Sequence, residues 1–203
     1  MITRWDEWYS KENLGKDERI LTAPPSQCAE NAATVFSSRG IRRILDLACG
    51  VGRDTFHLEQ RGLSVIGVDA SLNGVCAAQQ NKLMRGSLAE FVNADARRLP
   101  FKDGSFEGIY CFGLLHEFTS LNKEEDVRRV VSEVRRVLQD NGLLVLTVVA
   151  GDPQAGLPHV QLFTRQMFEQ ALAGWHPLEI RLYDDVGCTN RVDYRVWYGL
   201  FEK

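Results

Sequence analysis

The sequence predicts an α/β protein built on a doubly wound, mostly parallel sheet whose last strand runs antiparallel. Three observations predict it. Short apolar runs alternate with amphipathic helical patterns from residue 41 onward, as strands joined by crossover helices do. The run Ile44-Leu-Asp46-Leu-Ala-Cys-Gly50-Val-Gly52-Arg53-Asp54 ends an apolar stretch in a carboxylate and then turns through two glycines into a helical pattern. This is how a strand meets a helix beside a nucleotide-like ligand. Leu178 to Leu182 and Tyr194 to Phe201 read as two strands with no helix between them, so the final one runs antiparallel to its neighbour.

Composition sets the outer bounds. The 203 residues, 44% hydrophobic and 25% charged, suit one large globular domain with appendages. A net charge of -3 and the absence of a long basic run argue against a chain whose main task is gripping nucleic acid. The first residues carry charge and no apolar leader, and no segment offers the roughly eighteen apolar residues of a membrane span, so the expected location is the cytoplasm. The five cysteines, at 28, 49, 76, 111 and 188, form no Cys-x-x-Cys pair and have no histidine at ligand spacing, so they read as reduced thiols and no metal site is expected.

Each element follows in order. Trp5, Trp8, Tyr9 and Glu12 fall at helical spacing, placing three aromatics on one face of an N-terminal flap. With the Thr22-Ala-Pro-Pro25 linker this flap occupies residues 1–24, and residues 25–203 form the domain. Cys28, Ala32, Val35 and Phe36 make one helical stripe closed by Arg39-Gly40. Ile41 to Leu47 is the first strand, and Arg53 to Arg61 is a helix with Phe56 and Leu58 inward. Leu63 to Val68 is a strand ending in Asp69, and Leu72 to Met84 is a helix capped by Ser71. A short strand at Phe91-Val92 ends at Asn93-Ala-Asp95. Pro100 and Asp103-Gly104 break the next crossover before the strand Phe106 to Phe112. Glu124 to Leu138 is the clearest helix, with Val127, Val130, Val131, Val134 and Leu138 on one face and Arg128, Arg129, Arg135 and Arg136 on a solvated one. Asn141-Gly142 turns the chain into Leu143 to Ala150, apolar on both faces like a central parallel strand. Thr164 caps the last helix.

In such a sheet ligands bind beyond the carboxyl ends of the strands, which here carry Asp46 to Gly52, Asp69, Asp95 and Cys111 to His116. Gly50 and Gly52 let the backbone approach a ligand and leave amides at a helix start. Asp69, 23 residues beyond Asp46, is placed to accept both hydroxyls of a ribose. Asp95, followed by small Ala96, serves either as acceptor for an adenine amino group or as a turn cap. His116 is the leading candidate for a general base, against a role as a histidine bonded to backbone in the site wall; Glu117 is a weaker one. Trp5 and Tyr9 are expected to close over the site and exclude water, against an aromatic face simply packed on the core, a role that suits Trp8 better than Tyr9. His57, His159 and His176 have no partner pattern.

Together with Val68-Asp69, Asn93-Ala-Asp95, Leu99-Pro-Phe101, Asp103-Gly-Ser-Phe106, Leu114-Leu-His116 and Arg136-Val-Leu138 before Asn141-Gly142, the glycine-turn motif resembles the ordered motifs of class I S-adenosylmethionine-dependent methyltransferases, across about residues 41–150. The resemblance implies a Rossmann-like sheet of seven strands with the last antiparallel. It implies that Asp46, Ala48, Gly50, Gly52 and Arg53 lie along the methionine part of the cofactor S-adenosylmethionine, that Asp69 binds the ribose, and that Ala70, Asp95 and Ala96 flank the adenine. Cys111 and Phe112 through His116 then face the sulfonium. Independently of the resemblance, Trp5, Tyr9, His116 and Glu117 are the candidates for contact with the acceptor. Two departures stand out. Ala48 replaces the first glycine of Gly-x-Gly-x-Gly, tolerable if its φ is negative, and Asp140-Asn141-Gly142 replaces Pro-Gly-Gly. Gly52-Arg53-Asp54 is similar to a version in small-molecule members, and the compact chain favours a small-molecule acceptor, with no nucleic acid or membrane partner. An NAD-dependent oxidoreductase is the first alternative, disfavoured because the third glycine of Gly-x-Gly-x-x-Gly would fall at Thr55. A non-catalytic S-adenosylmethionine-binding module is the second. The acceptor and the oligomeric state are not readable.

Overall fold

The computed structural model describes residues 4–16, 19–119, 122–155, 160–186 and 193–203. His159, Cys188 and the connection between the last two strands lie outside them. The chain opens with three short helices, α1 (Arg4–Trp8), α2 (Lys11–Lys16) and α3 (Arg19–Thr22), followed by α4 (Gln27–Ser38). Then come β1 (Arg43–Leu47), α5 (Arg53–Gln60), β2 (Ser64–Asp69), α6 (Leu72–Arg85), β3 (Glu90–Asn93) and β4 (Phe106–Phe112). The remainder is α7 (Lys123–Val137), β5 (Leu138–Val149), α8 (Arg165–Ala171), β6 (His176–Val186) and β7 (Asp193–Glu202).

The seven strands form one sheet in the order β3-β2-β1-β4-β5-β7-β6. β7 is antiparallel to both β5 and β6, while the pairings from β3 across to β5 are parallel. The expected closing strand is therefore present, inserted one place in from the edge.

Alternation along the central strands decides the two cores. In β5, Leu143 and Val145 join Ile44, Phe36, Tyr110 and the α4 face, whereas Leu144, Leu146 and Val148 join Ile109, Val130, Val134 and Phe168 on the other side. Both faces of the sheet are buried, as a parallel sheet covered by helices requires. Leu138 pairs with Phe106 and Leu143 with Gly108, so the residues between them bulge opposite Glu107, with Asn141 at φ +62°. This is the expected Asn141-Gly142 turn, absorbed into the strand.

Two local expectations change. The N-terminal aromatics do not share one helix: α1 ends at Trp8, and Glu12 in α2 pairs with Lys16 instead of continuing the face. Arg135 and Arg136 are not simply solvated. Between β3 and β4 the crossover has no helix, and Arg136 fastens it by donating to the carbonyls of Leu99 (3.0 Å) and Phe101 (2.7 Å) and to Asp103 (2.9 Å). Arg135 lies over the Trp175 ring and donates to the Gly174 carbonyl.

The start of the domain is held by one buried carboxylate. Asp54 accepts from the Ser26 backbone (2.9 Å), the Ser26 hydroxyl (2.8 Å), the Tyr110 hydroxyl (2.9 Å) and a two-point Arg53 fork. Burial raises its pKa, but Arg53 and Ser26 outweigh burial and hold it below the usual carboxylate range. Ser26 also caps α4, so the linker, α4, α5 and β4 meet at this residue. Asp54→Ala removes the acceptor shared by the Arg53 fork, the Ser26 amide and hydroxyl and the Tyr110 hydroxyl, and is expected to lower the unfolding free energy by about 3–5 kcal/mol in denaturant titrations. A loss below about 1 kcal/mol would show that the clamp is not structural.

Candidate functional site

The strand order reverses between β1 and β4, and the loops after these two strands open side by side at the carboxyl edge, where ligands bind in such sheets. The first loop hangs from β2. The Val68 carbonyl accepts from the amides of Ala48 (2.8 Å) and Cys49 (3.0 Å), and the Asp69 carboxylate accepts from the amides of Gly50 (2.8 Å) and Ser71 (2.8 Å) on separate oxygens. Gly50 and Gly52 have φ of +54° and +84°. Ala48 has φ +66°, which overturns the negative φ that made its substitution tolerable. Its amide hydrogen bond to Val68 holds it there against a left-handed penalty of about 1–2 kcal/mol.

Around this turn Asp46 and Asp69 share three donors, the Thr55 hydroxyl and the Gly50 and Ser71 amides. Asp46 is 2% exposed and receives one hydrogen bond, from the Thr55 hydroxyl at 2.5 Å. Burial pushes its carboxyl up to about 8, against Thr55 and with Asp54 and Asp69 adding to the rise. Asp69 is raised by burial in spite of the Ser71 and Gly50 amides. Burial and the nearby Asp46 also raise the Cys49 and Cys111 thiols, which therefore stay neutral and act as packing groups. Each Asp69 oxygen accepts one amide and keeps another lone pair. An electronegative turn with a diol-sized acceptor at its rim fits a cationic nucleoside cofactor.

The N-terminal strap crosses the mouth of this site. Arg4 and Trp5 both donate to Glu117, which follows β4, and Trp5 stacks on Tyr9 at 5.7 Å and 25°. Asp6 accepts from the Ser71 hydroxyl (2.9 Å), and its carbonyl accepts from the Asn73 side chain (2.7 Å), at the start of α6. Tyr9 lies against the glycine turn: a Cβ on Gly50 would fall 2.6 Å from its hydroxyl oxygen, and one on Gly74 3.0 Å from its ring. Trp8 is 41% exposed, so only Trp5 and Tyr9 of the three aromatics face inward.

The remaining candidates are tied into the fold to different degrees. Asp95 holds the Arg97 amide (2.8 Å) and guanidinium, which keep its carboxyl low, while Arg97 reaches on to Asp126 at 2.9 Å. That is the turn-cap alternative, with Ala96 buried behind it. The Ala70 carbonyl accepts from Asn93 at 3.0 Å. Arg53, beyond its fork to Asp54, lies over the Phe112 ring at 5.6 Å. His116 sits in a short 3-10 turn, Leu115–Glu117, with Nδ1 accepting from the Val149 amide (3.4 Å) and its carbonyl accepting from Gln161 (2.7 Å). Burial, with Arg4 nearby, lowers its imidazole to about 4. His57 faces Glu30 at 3.4 Å on α4, away from this mouth. Sequence reading missed Arg4, Asp6, Ser71 and Gly74 as site-building residues; charged residues flanking the Trp5 and Tyr9 pair were the available signal.

A seven-stranded sheet with a penultimate antiparallel strand, and a glycine turn and acid at its switch point, define the class I methyltransferase architecture. The chain belongs to the methyltransferase-domain family, which it matches over residues 45–146, and the cofactor of that family is S-adenosylmethionine. It is 34% identical over 134 residues to an uncharacterized methyltransferase of Synechocystis sp., covering 66% of this chain and 56% of that protein. It is 35% identical over 114 residues to a glycine/sarcosine N-methyltransferase of Parasynechococcus marenigrum, covering 55% of this chain and 39% of that one. The chain thus spans about half the length of the curated relatives it matches. In fold it is similar to the Burkholderia thailandensis 1,6-didemethyltoxoflavin-N1-methyltransferase, solved with S-adenosylhomocysteine, at TM-score 0.70 and 18% identity over 98% of this chain and 86% of that one.

Two substitutions test the turn. Ala48→Gly relieves the left-handed alanine and, after the extra chain entropy of glycine, is expected to raise unfolding free energy by about 0.5–1 kcal/mol in denaturant titrations. Asp46 keeps its proton in the folded state up to about pH 8 but releases it near the ordinary 3.8 when unfolded. Its contribution is therefore complete below the unfolded pKa and is lost as pH rises through the folded one. Asp46→Asn is expected to stabilise the cofactor-free protein by at least about 1 kcal/mol at neutral pH, a gain that shrinks on acidification; a pH-independent difference would contradict the assignment.

Proposed function

We propose that this chain transfers a methyl group from S-adenosylmethionine to a small-molecule acceptor by in-line displacement. The observation that carries this reading is Asp69: a carboxylate at the end of β2, pinned by the Gly50 and Ser71 amides, with a lone pair left on each oxygen for a ribose diol. Residues 46–52 with Arg53 would run along the methionine part, Ala70, Asp95 and Ala96 beside the adenine, and Cys111, Phe112 and His116 toward the reacting centre. S-adenosylmethionine supplies, when bound, a methyl carbon on a sulfonium, which an acceptor lone pair takes while the carbon–sulfur electrons stay on sulfur.

The chain's own contributions are charge, position and exclusion of water. The electronegative turn attracts a cationic ligand. The strap, tied to Glu117 at one end and Ser71 and Asn73 at the other, covers the mouth with Trp5 and Tyr9. Holding nucleophile and methyl carbon in line is worth roughly 7–11 kcal/mol, so the reaction needs little beyond alignment. A small acceptor is supported by relatives and a structural neighbour named for glycine, sarcosine and didemethyltoxoflavin.

Calorimetry with S-adenosylhomocysteine and NAD tests the reading. S-adenosylhomocysteine is expected to bind and NAD not to, and Asp69→Ala should weaken the former more than tenfold through loss of charged hydrogen bonds. Wild-type affinity in that variant would mean that the ligand is placed elsewhere. Release of S-adenosylhomocysteine with any acceptor separates an enzyme from a binding module.

A further inference from the structure

We propose that His116 is a hydrogen-bond donor to the methyl acceptor and not its general base, so that the acceptor is an anionic nucleophile, a thiolate or a carboxylate, that arrives already ionised. This rests on the methyltransferase reading above. A backbone N–H can only donate, and the Val149 amide points into Nδ1 of His116. The Nδ1 lone pair is therefore engaged, and the single proton of the neutral ring is on Nε2. That atom lies beyond the end of β4: a Cβ on Gly113, the residue after Phe112, would sit 4.0 Å from Nε2 and 3.6 Å from Cε1. The facing acceptor is Oε1 of Glu117 at 3.6 Å, beyond hydrogen-bond range. Among the described residues Nε2–H has no hydrogen-bond partner.

The other groups around the reacting centre are closed to proton transfer as well. Glu117 is engaged by the Arg4 guanidinium and the Trp5 indole. Asp46 is buried with its carboxyl protonated and bonded to Thr55, and the Cys111 thiol is buried and neutral. For His116 to take a proton, Nδ1 would have to give up the Val149 amide, and burial opposes the resulting charge. Among the described residues an acceptor bearing O–H or N–H⁺ would thus find no group in the site to take its proton. A thiolate or a carboxylate has none to lose, and a neutral amine, with a single lone pair, could not both accept from Nε2–H and attack the methyl carbon. With a carboxylate, one oxygen accepts from Nε2–H while the other attacks the methyl carbon; with a thiolate, Nε2–H holds the sulfur in line.

The tautomer is measured directly by two-bond proton–nitrogen NMR on the full chain saturated with S-adenosylhomocysteine, the His116 signals being those lost in His116→Gln. The expected result is a ring protonated at Nε2 and bare at Nδ1, with no titration between about pH 5.5 and 8. A proton on Nδ1, or a midpoint between about 6 and 7, overturns the proposal. Transfer assays with 2-mercaptoethanol, benzoate and benzyl alcohol as probes give a second reading. Turnover of the thiol that rises about tenfold per pH unit below the thiol's own pKa supports it, and turnover of the un-ionised alcohol overturns it. His116→Gln, whose amide N–H replaces Nε2–H, should keep at least about tenfold more transfer than His116→Ala; equal losses point to a base. Failure to bind S-adenosylhomocysteine would defeat the methyltransferase reading instead, and the tautomer would still be decided in the cofactor-free chain.

Discussion

The buried Asp54 carboxylate, with five donors converging on it, is the interaction on which the site depends. It joins the cap of α4, the first turn of α5 and the middle of β4, which fixes where the glycine turn leaves β1. Asp46, eight residues earlier and equally buried, has one donor. The two acids differ in what the fold gives them, and their ionisation moves in opposite directions for that reason. A saturated buried charge is a structural joint. An undersupplied carboxyl keeps its proton in the empty protein, where ionising it costs stability.

The N-terminal strap extends the same principle across the mouth. Its ties are polar and lie at both ends, on Glu117 and at the start of α6, while Trp5 and Tyr9 cover the space between. Tyr9 reaches the turn only because Gly50 and Gly74 lack side chains. The glycines therefore serve the strap as well as the backbone conformation.

Where the helical crossover between β3 and β4 is missing, Arg136 and Glu133 replace it with side-chain bonds to the Leu99, Phe101 and Asp103 segment. A helix face that reads as solvated charge is in part a staple. Arginine suits this task because its planar fork meets several carbonyls at once.

The alternation of apolar runs, the acids at strand ends and the closing antiparallel strand were all legible in the sequence, because they follow from backbone periodicity and chain connectivity, which are local. Asp69 and the glycine turn were legible for the same reason: each sits at a strand end. The sign of φ at Ala48 was not, since a carbonyl twenty residues further on, that of Val68, holds its amide. Nor was the state of His116, decided by an amide 33 residues away, or the engagement of Glu117 by Arg4, 113 residues apart. By itself the sequence determined which residue types stand at the carboxyl edge of the sheet. Only the tertiary structure decided which of their polar atoms are taken by the protein and which are left for a ligand, because hydrogen-bond partners across such separations meet only when the sheet is assembled.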